Sequence, residues 1–301
     1  PEPVPGWATD GRLNLLLMGS DAGPGRWLLR TDTMILLSVD VASGRAALFG
    51  FPRNLLNVPL PPESAAAFPS GRFPGYLNAL YVYAMGHEAY FPGGEARGFR
   101  AVTGSIQEMA GVPLDGAVVI SLLGFRDLVK ALGGLWIDVP YALYDEHYPD
   151  PDGTGRKTIY VPAGCQHLGP EKALAYARSR HSTDDYSRMN RQQLVLEALA
   201  RQVDPIALIP KTPELLEIAR DNLWMTISPD EIPDLAELAA RVDTGHIERI
   251  MFVPPIYPEY VRKSDVKRMR EVVRTIFDIE PTPSGEPTPK PEKTPKPCPR
   301  D

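Results

Sequence analysis

The chain alternates short apolar runs with amphipathic stretches. "LNLLLMG" (13–19), "DTMILLSVD" (32–40) and "GRAALFGFP" (44–52) are apolar blocks bounded by turn residues, the pattern of strands covered on both faces. "YLNALYVYAMG" (76–86) and "ARGFRAVTGSIQEMAG" (96–111) repeat their apolar residues at helical spacing. A further apolar run, "GAVVISL" (116–122), leads into "GFRDLVKALGG" (124–134), whose paired glycines predict a helix stop, and then into "LWIDVP" (135–140). Strands alternating with helices predict an α/β domain whose central sheet is covered by helices on both faces. The stretch from Pro59 to Gly75, rich in Pro, Ala and Ser, is expected to be a long loop of the kind that borders sites.

The two ends read differently. "PEPVPGWATD" at the start and "PTPSGEPTPKPEKTPKPCPRD" from Pro281 have little apolar surface to bury, so a linker over 1–11 and a disordered proline-rich tail over 280–301 are expected to flank a folded unit over 12–279.

One polar segment stands apart. After "GPEKALAYA" (169–177), in which Pro170 and Glu171 make a good helix start, comes "YARSRHSTDDYSRMNRQQ" (176–193). Arg178 and Arg180 are two residues apart and share a side if the chain is extended there. Ser182, Thr183, Asp184 and Asp185 are all candidate N-caps for the long helix that follows. Arg188 and Gln192 lie one turn apart on it, and the same stripe continues through Val195 and Leu199, so both polar side chains are expected to face the protein body. A buried arginine stays ionised and needs an anion. For any single one a neighbouring carboxylate is the simplest solution. Arg178, Arg180, Arg188 and Arg191 together outnumber Asp184 and Asp185, however, and a phosphate or pyrophosphate satisfies several guanidinium groups at once.

Composition narrows the choice. At 301 residues and 43% hydrophobic content the chain can bury a large core. Its net charge of -6 argues against broad attachment to a nucleic-acid backbone, so any bound anion must meet a local cluster. Cys165 and Cys298 form neither a disulfide framework nor a metal-ligand spacing, and whether they pair is open. No apolar run approaches the roughly 18 residues that span a bilayer, and a start at Pro1 without methionine leaves room for an upstream signal or anchor.

The amino-terminal half holds matching chemistry. "MGSD" places Asp21 beyond the end of the first strand, "RTDT" places Arg30 and Asp32 at the start of the second, and "FPRN" places Arg53 beyond the third, at the kind of sheet edge where ligands bind. Asp21 and Asp32 could hold a magnesium ion through hard oxygen ligands. Alternatively, Asp21 starts a turn and Asp32 pairs with Arg30. His181 has no recognisable nucleophile to serve, and "GHEAY" lacks the second histidine of a zinc helix. "GPGR" and "FPGG" lack the lysine and spacing of a phosphate loop. Within the tyrosine-rich helix, Asn78 could reach a ligand.

"LNLLLMGSD", "RTDTMILLSVD", "GFPRN", "YLNALY", "GFRDLVKALGGLWIDVP", "HLGPEKALAYARSRH" and "DYSRMNRQQLVLEAL", in this order and spacing, resemble the LytR-CpsA-Psr proteins of bacterial cell envelopes, over roughly residues 12 to 203. The resemblance implies a three-layer α/β/α sandwich with a central mixed sheet. It implies an extracytoplasmic location, with the membrane anchor in an amino-terminal helix absent from this chain. It implies a phosphotransferase that moves an anionic glycopolymer from a polyprenyl-pyrophosphate carrier to the C6 hydroxyl of N-acetylmuramic acid in peptidoglycan, through a phosphodiester. Asp21 and Asp32 match the family's magnesium ligands. Arg30, Arg53, Arg178, Arg180, Arg188 and Gln192 match its pyrophosphate-binding positions, with Arg53, Asp32, Arg178 and Arg180 expected to carry catalysis. Hydrolysis of polyprenyl pyrophosphates, or binding without conversion, would use the same groups. One position departs from the family: Asn54 stands where aspartate usually follows the "PR" pair, which keeps an acceptor oxygen but loses the charge.

Overall fold

In the computed structural model, which describes residues 10–20, 31–149, 155–180, 185–203 and 222–278 together with 218, 220 and 298, the apolar blocks become strands. β1 (Arg12–Ser20) lies between β2 (Thr31–Asp40), antiparallel to it, and β6 (Gly116–Ser121), parallel to it. β3 (Ala46–Gly50) extends the sheet antiparallel to β2, and β12 (Ile247–Met251) runs parallel to β3. β11 (Leu223–Met225) closes the other edge against β6, giving a six-stranded mixed sheet of order β11-β6-β1-β2-β3-β12. The described helices are α1 (Pro62–Ala65), α2 (Leu80–Gly86), α3 (Arg97–Ala110), α4 (Leu122–Ala131), α5 (Pro170–Arg178), α6 (Asp185–Gln202), α7 (Ile232–Arg241) and α8 (Lys263–Thr275). By compactness the chain divides into two units, Pro1–Leu122 with Asn222–Ile276 and Leu123–Asp221 with Phe277–Asp301.

In the first unit successive side chains of β1 point to opposite faces of the sheet. Leu13, with Val39 and Ala46, packs against Leu238 of α7. On the other face Arg12 donates to Ser38 Oγ at 2.6 Å and to the Val273 carbonyl of α8 at 2.7 Å. A helix therefore covers each face, which is the expected α/β/α layering. β3 is buried along its whole length, as its unbroken apolar run predicts.

Two expectations need correction. The stretch from Pro59 to Gly75 is not a plain loop: α1 starts there with Pro62 in its first turn, and β5 (Arg72–Tyr76) pairs with β4 (Leu56–Pro59) so that Val58 meets Phe73. That pairing buries both side chains, and being non-local it leaves no mark on periodicity. The predicted helix over 76–86 opens as a single 3₁₀ turn, Leu77–Ala79, before α2. Asn78 therefore sits on a turn and not on a core-facing helix stripe.

The second unit packs β7 (Leu135–Val139), β8 (Leu143–Pro149), β9 (Arg156–Val161) and β10 (Gly164–Leu168) with α5 and α6. β7 pairs with β10, and β8 with β9, both antiparallel. Leu135, Ile137 and Val139 of β7 share a core with Tyr176 of α5 and with Val195 and Ala198 of α6. α4 stops where its glycines predict: Gly133 and Gly134 take φ of 80° and 106°, and a Cβ on Gly134 would lie 2.5 Å from His167 Nε2. Cys165 on β10 is bonded to Cys298. The two are 133 residues apart, a separation at which sequence spacing carries no pairing signal. The rest of the proline-rich tail and the linker over 1–9 lie outside the described residues. Among the described residues no helix is long and apolar enough to cross a membrane.

Candidate functional site

In the first unit the chain leaves β3 through Phe51 and Pro52, and Leu55 and Leu77, both fully buried, fix the segments on either side of the site. The Leu77 N–H donates to the Leu55 carbonyl at 2.9 Å and the Asn78 N–H to the Arg53 carbonyl at 3.0 Å. This local ladder aims two side chains at one acceptor. Arg53 Nη1 donates to Asp32 Oδ1 at 2.9 Å, and Asn78 Nδ2 donates to the same oxygen at 3.2 Å. Both charged side chains are partly exposed, 20% for Arg53 and 29% for Asp32. Asp32 thus has a described partner in Arg53. Arg30, the partner weighed from sequence, lies outside the described residues, as does Asp21.

Asn54 follows Arg53 and donates through Nδ2 to Glu259 Oε1 at 2.6 Å. The loop carrying Glu259 is held on the same strand, since the Leu56 N–H donates to the Glu259 carbonyl at 2.7 Å and the Val261 N–H to the Leu56 carbonyl at 2.9 Å. An aspartate at position 54 would set two carboxylates against each other. The asparagine instead donates a hydrogen bond to this glutamate.

Magnesium accepts one or two protein carboxylates and takes its other ligands from water and phosphate oxygens. Asp32, a partly exposed carboxylate held by Arg53 and Asn78, fits that demand. No group of three or more His, Cys, Asp and Glu side chains suited to a metal occurs among the described residues.

In the second unit the arginine segment is built around the end of α5. Ser179 leaves the helix with φ -55° and ψ 143°, and its side chain is buried between half-buried Arg178 and exposed Arg180. Arg180 and Arg188 both reach Asp185 Oδ1, at 3.9 Å and 3.2 Å. Arg188 is only 3% exposed, so the stripe shared by Arg188 and Gln192 does face inward. Of the candidate N-caps of α6, only Asp185 is among the described residues, as the first residue of the helix; His181 and the segment to Asp184 lie outside them.

Arg191 departs from the expectation that it seeks a ligand. Its Nε donates to the Tyr176 carbonyl at 2.8 Å and its Nη2 to the Ser179 carbonyl at 2.5 Å, while Gln192 Nε2 donates to the Ala177 carbonyl at 3.3 Å. The last carbonyls of a helix have no partners within it. Arg191 and Gln192 supply them from the neighbouring helix.

Arg178 is left differently placed. It forms no ion pair with a described carboxylate, and its Nη1 is buried without a hydrogen-bond partner. Its guanidinium carbon lies 5.7 Å from the centre of the Tyr148 ring. Burial pushes the Tyr148 phenol above its ordinary pKa against the opposing pull of Arg178, so the hydroxyl stays protonated. The Tyr148 hydroxyl is turned towards Arg178 itself, and Gln192 Oε1 is likewise buried without a hydrogen-bond partner. Buried polar atoms are nearly always satisfied, so these atoms are free to bond with water or with an incoming group.

Sequence reasoning missed Asp145 and Tyr148 of β8. Asp145 is 1% exposed and accepts from Ser179 Oγ at 2.5 Å. Their odd spacing conceals that both face inward.

Comparison with known proteins agrees with this architecture. A sequence profile of the LytR_cpsA_psr family matches residues 3–261. The polyisoprenyl-teichoic acid–peptidoglycan teichoic acid transferase TagV of Bacillus subtilis is 29% identical over 200 residues, covering 66% of this chain and 45% of TagV. Biofilm regulatory protein A of Streptococcus mutans is 26% identical over 240 residues, 76% of this chain and 53% of that protein. The chain thus spans about half the length of these curated relatives. The crystal structure of B. subtilis TagV superposes with a TM-score of 0.62 at 24% identity, covering 90% of this chain and 98% of that one. TagT bound to LI-WTA gives 0.62 at 20% identity, covering 93% and 94%. With a profile match across most of its length and the same fold as these solved structures, the chain belongs to the LytR_cpsA_psr family.

Proposed function

We propose that the protein is a magnesium-dependent phosphotransferase that attaches an anionic glycopolymer, carried on a polyprenyl pyrophosphate, to the C6 hydroxyl of N-acetylmuramic acid in peptidoglycan. The observation that carries this reading is Arg178: a half-buried guanidinium with no described carboxylate partner and an unsatisfied buried nitrogen, in a family whose relatives are named as teichoic acid transferases. Arg178, Arg180 and Arg188, with Gln192, bind the pyrophosphate oxygens. In the first unit Arg53, oriented by Asp32, is a further pyrophosphate-binding position that the resemblance implies.

The hydroxyl oxygen attacks the phosphorus on the polymer side. A phosphorus–oxygen bond to the sugar forms as the bond to polyprenyl phosphate breaks, and the hydroxyl proton passes to Asp32 or to a phosphate oxygen. The reacting group is already anionic, so the arginines contribute chiefly by offsetting charge and holding the reacting atoms in line. Magnesium held by Asp32, together with Asp21 as the resemblance implies, would add further neutralisation of the phosphates.

The Cys165–Cys298 bond supports an extracytoplasmic location, since such bonds persist in oxidising compartments. An anchor upstream of this chain would hold the domain at the membrane.

Incubation of the protein with a lipid-pyrophosphate donor and peptidoglycan, with and without magnesium, tests the reading. Polymer linked to peptidoglycan is expected, and Arg178→Ala should abolish it. Release of phosphate products alone would replace transferase by hydrolase, and retention of the lipid without conversion would reduce the protein to a binding module.

A further inference from the structure

β8 does not alternate like a regular strand. It pairs with β9 through Tyr144↔Tyr160 and Asp145↔Ile159, and then resumes at Tyr148↔Lys157, with a shift in between. Three steps along β8 thus match two along β9, so one extra residue is inserted. In a regular strand positions 145 and 148 would point to opposite faces. The bulge turns both inward: Leu143, Asp145 and Tyr148 are buried while Tyr144, Glu146 and His147 are exposed. Asp145 stabilises the bulge itself, its Oδ1 accepting from the His147 N–H at 2.9 Å.

Asp145 and Tyr148 each meet one residue of the arginine segment. Asp145 Oδ2 accepts from Ser179 Oγ at 2.5 Å, and the Tyr148 ring lies beside the Arg178 guanidinium at 5.7 Å. We propose that the β8 bulge positions the Arg178–Ser179–Arg180 segment for anion binding, with Asp145 and Tyr148 as positioning residues. This rests on the reading that the segment binds a pyrophosphate.

The chemistry favours positioning over mere packing. A carboxylate that is 1% exposed is a costly way to fill a core, and an apolar side chain of similar size packs there at least as well. What the carboxylate adds is direction. It fixes the Ser179 side chain, and with it the extended backbone that places Arg178 and Arg180 on either side. Tyr148 sets the plane of the first guanidinium. Two guanidinium groups can share one diphosphate only while their relative orientation holds.

Titration of the full chain with inorganic pyrophosphate, followed by calorimetry, tests the proposal. Wild type should bind. Ser179→Ala should weaken binding about tenfold to a hundredfold, the scale of a small misplacement of a binding group, and Ser179→Thr should restore it because the hydroxyl returns. The double variant Asp145→Leu with Ser179→Ala should bind no worse than the weaker single variant, since both changes remove the same side-chain bond. Where Asp145→Leu fails to fold, the Ala and Thr variants at position 179 decide the matter. A wild-type chain that binds no pyrophosphate overturns both the functional reading and this inference. Wild type that binds alongside a Ser179→Ala chain that binds equally well, or a loss that threonine does not rescue, overturns the inference alone.

Discussion

Replacing Arg191 by methionine should cost more stability than replacing Arg178 by alanine, and replacing Arg178 should cost more affinity for pyrophosphate than replacing Arg191. Arg191 is 7% exposed and spans two carbonyls at the end of α5, those of Tyr176 at 2.8 Å and Ser179 at 2.5 Å. A hydrogen bond from a charged donor contributes about 1.5–3 kcal/mol, and stranding a buried acceptor costs about 1–3 kcal/mol. Methionine keeps much of the apolar stem and removes a buried charge, which offsets part of the loss. A net loss of about 3 kcal/mol follows, or about 6–12 °C in melting temperature at the 2–4 °C per kcal/mol of larger domains. Arg178, half-buried and without a described ion pair, should cost under about 1 kcal/mol when truncated. Thermal denaturation and pyrophosphate titration on both variants measure the crossing. An Arg191→Met protein that melts like wild type but binds weakly would refute the assignment of this arginine to the helix end.

Asp32→Ala should abolish the response of transfer to added magnesium, and an unaltered metal dependence in the transfer assay would count against Asp32 as a ligand. Asn54→Asp should lower stability near neutral pH by placing a second carboxylate beside Glu259, and Glu259→Gln should relieve that loss in urea unfolding; additive losses would show that the two side chains do not interact. Burial holds the Asp115 carboxyl above the usual range, although the Asn14 N–H donating to it at 2.7 Å pulls the other way. Its raised folded pKa means that its contribution is full below the unfolded value and lost as pH rises through the folded one. Asp115→Asn should therefore flatten that part of the acid-range stability curve, and an unchanged slope would contradict the shift. Reducing the Cys165–Cys298 bond, whose partners are 133 residues apart, should cost about 4–5 kcal/mol on loop-entropy grounds, and identical melting curves with and without reductant would refute that.

How much of this could be read from the chain depends on the range of the interaction. The inward stripe of Arg188 and Gln192 was legible because both the helix period and the apolar residues that continue it are local. So was the stop of α4 at Gly133 and Gly134, where one conformational demand falls on two adjacent residues. The partner of Asp32 was not: Arg53 and Asn78 reach it from 21 and 46 residues away, and Arg30, far closer in sequence, was an equally reasonable choice. Arg191 shows a subtler limit. Counting arginines against carboxylates treats every guanidinium as an ion in need of an ion, yet backbone carbonyls at a helix end are acceptors too, and they carry no letter in the sequence. The β8 bulge conceals more still, because a single inserted residue reverses the face of everything after it. A strict alternation puts Asp145 and Tyr148 on opposite sides and removes any reason to link either to the arginines. Charge density therefore singles out a segment without saying what each charge does there: one arginine of the cluster closes a helix, and the groups packed beside the rest of the segment are an acid and a phenol from a strand whose pattern gives no hint of them.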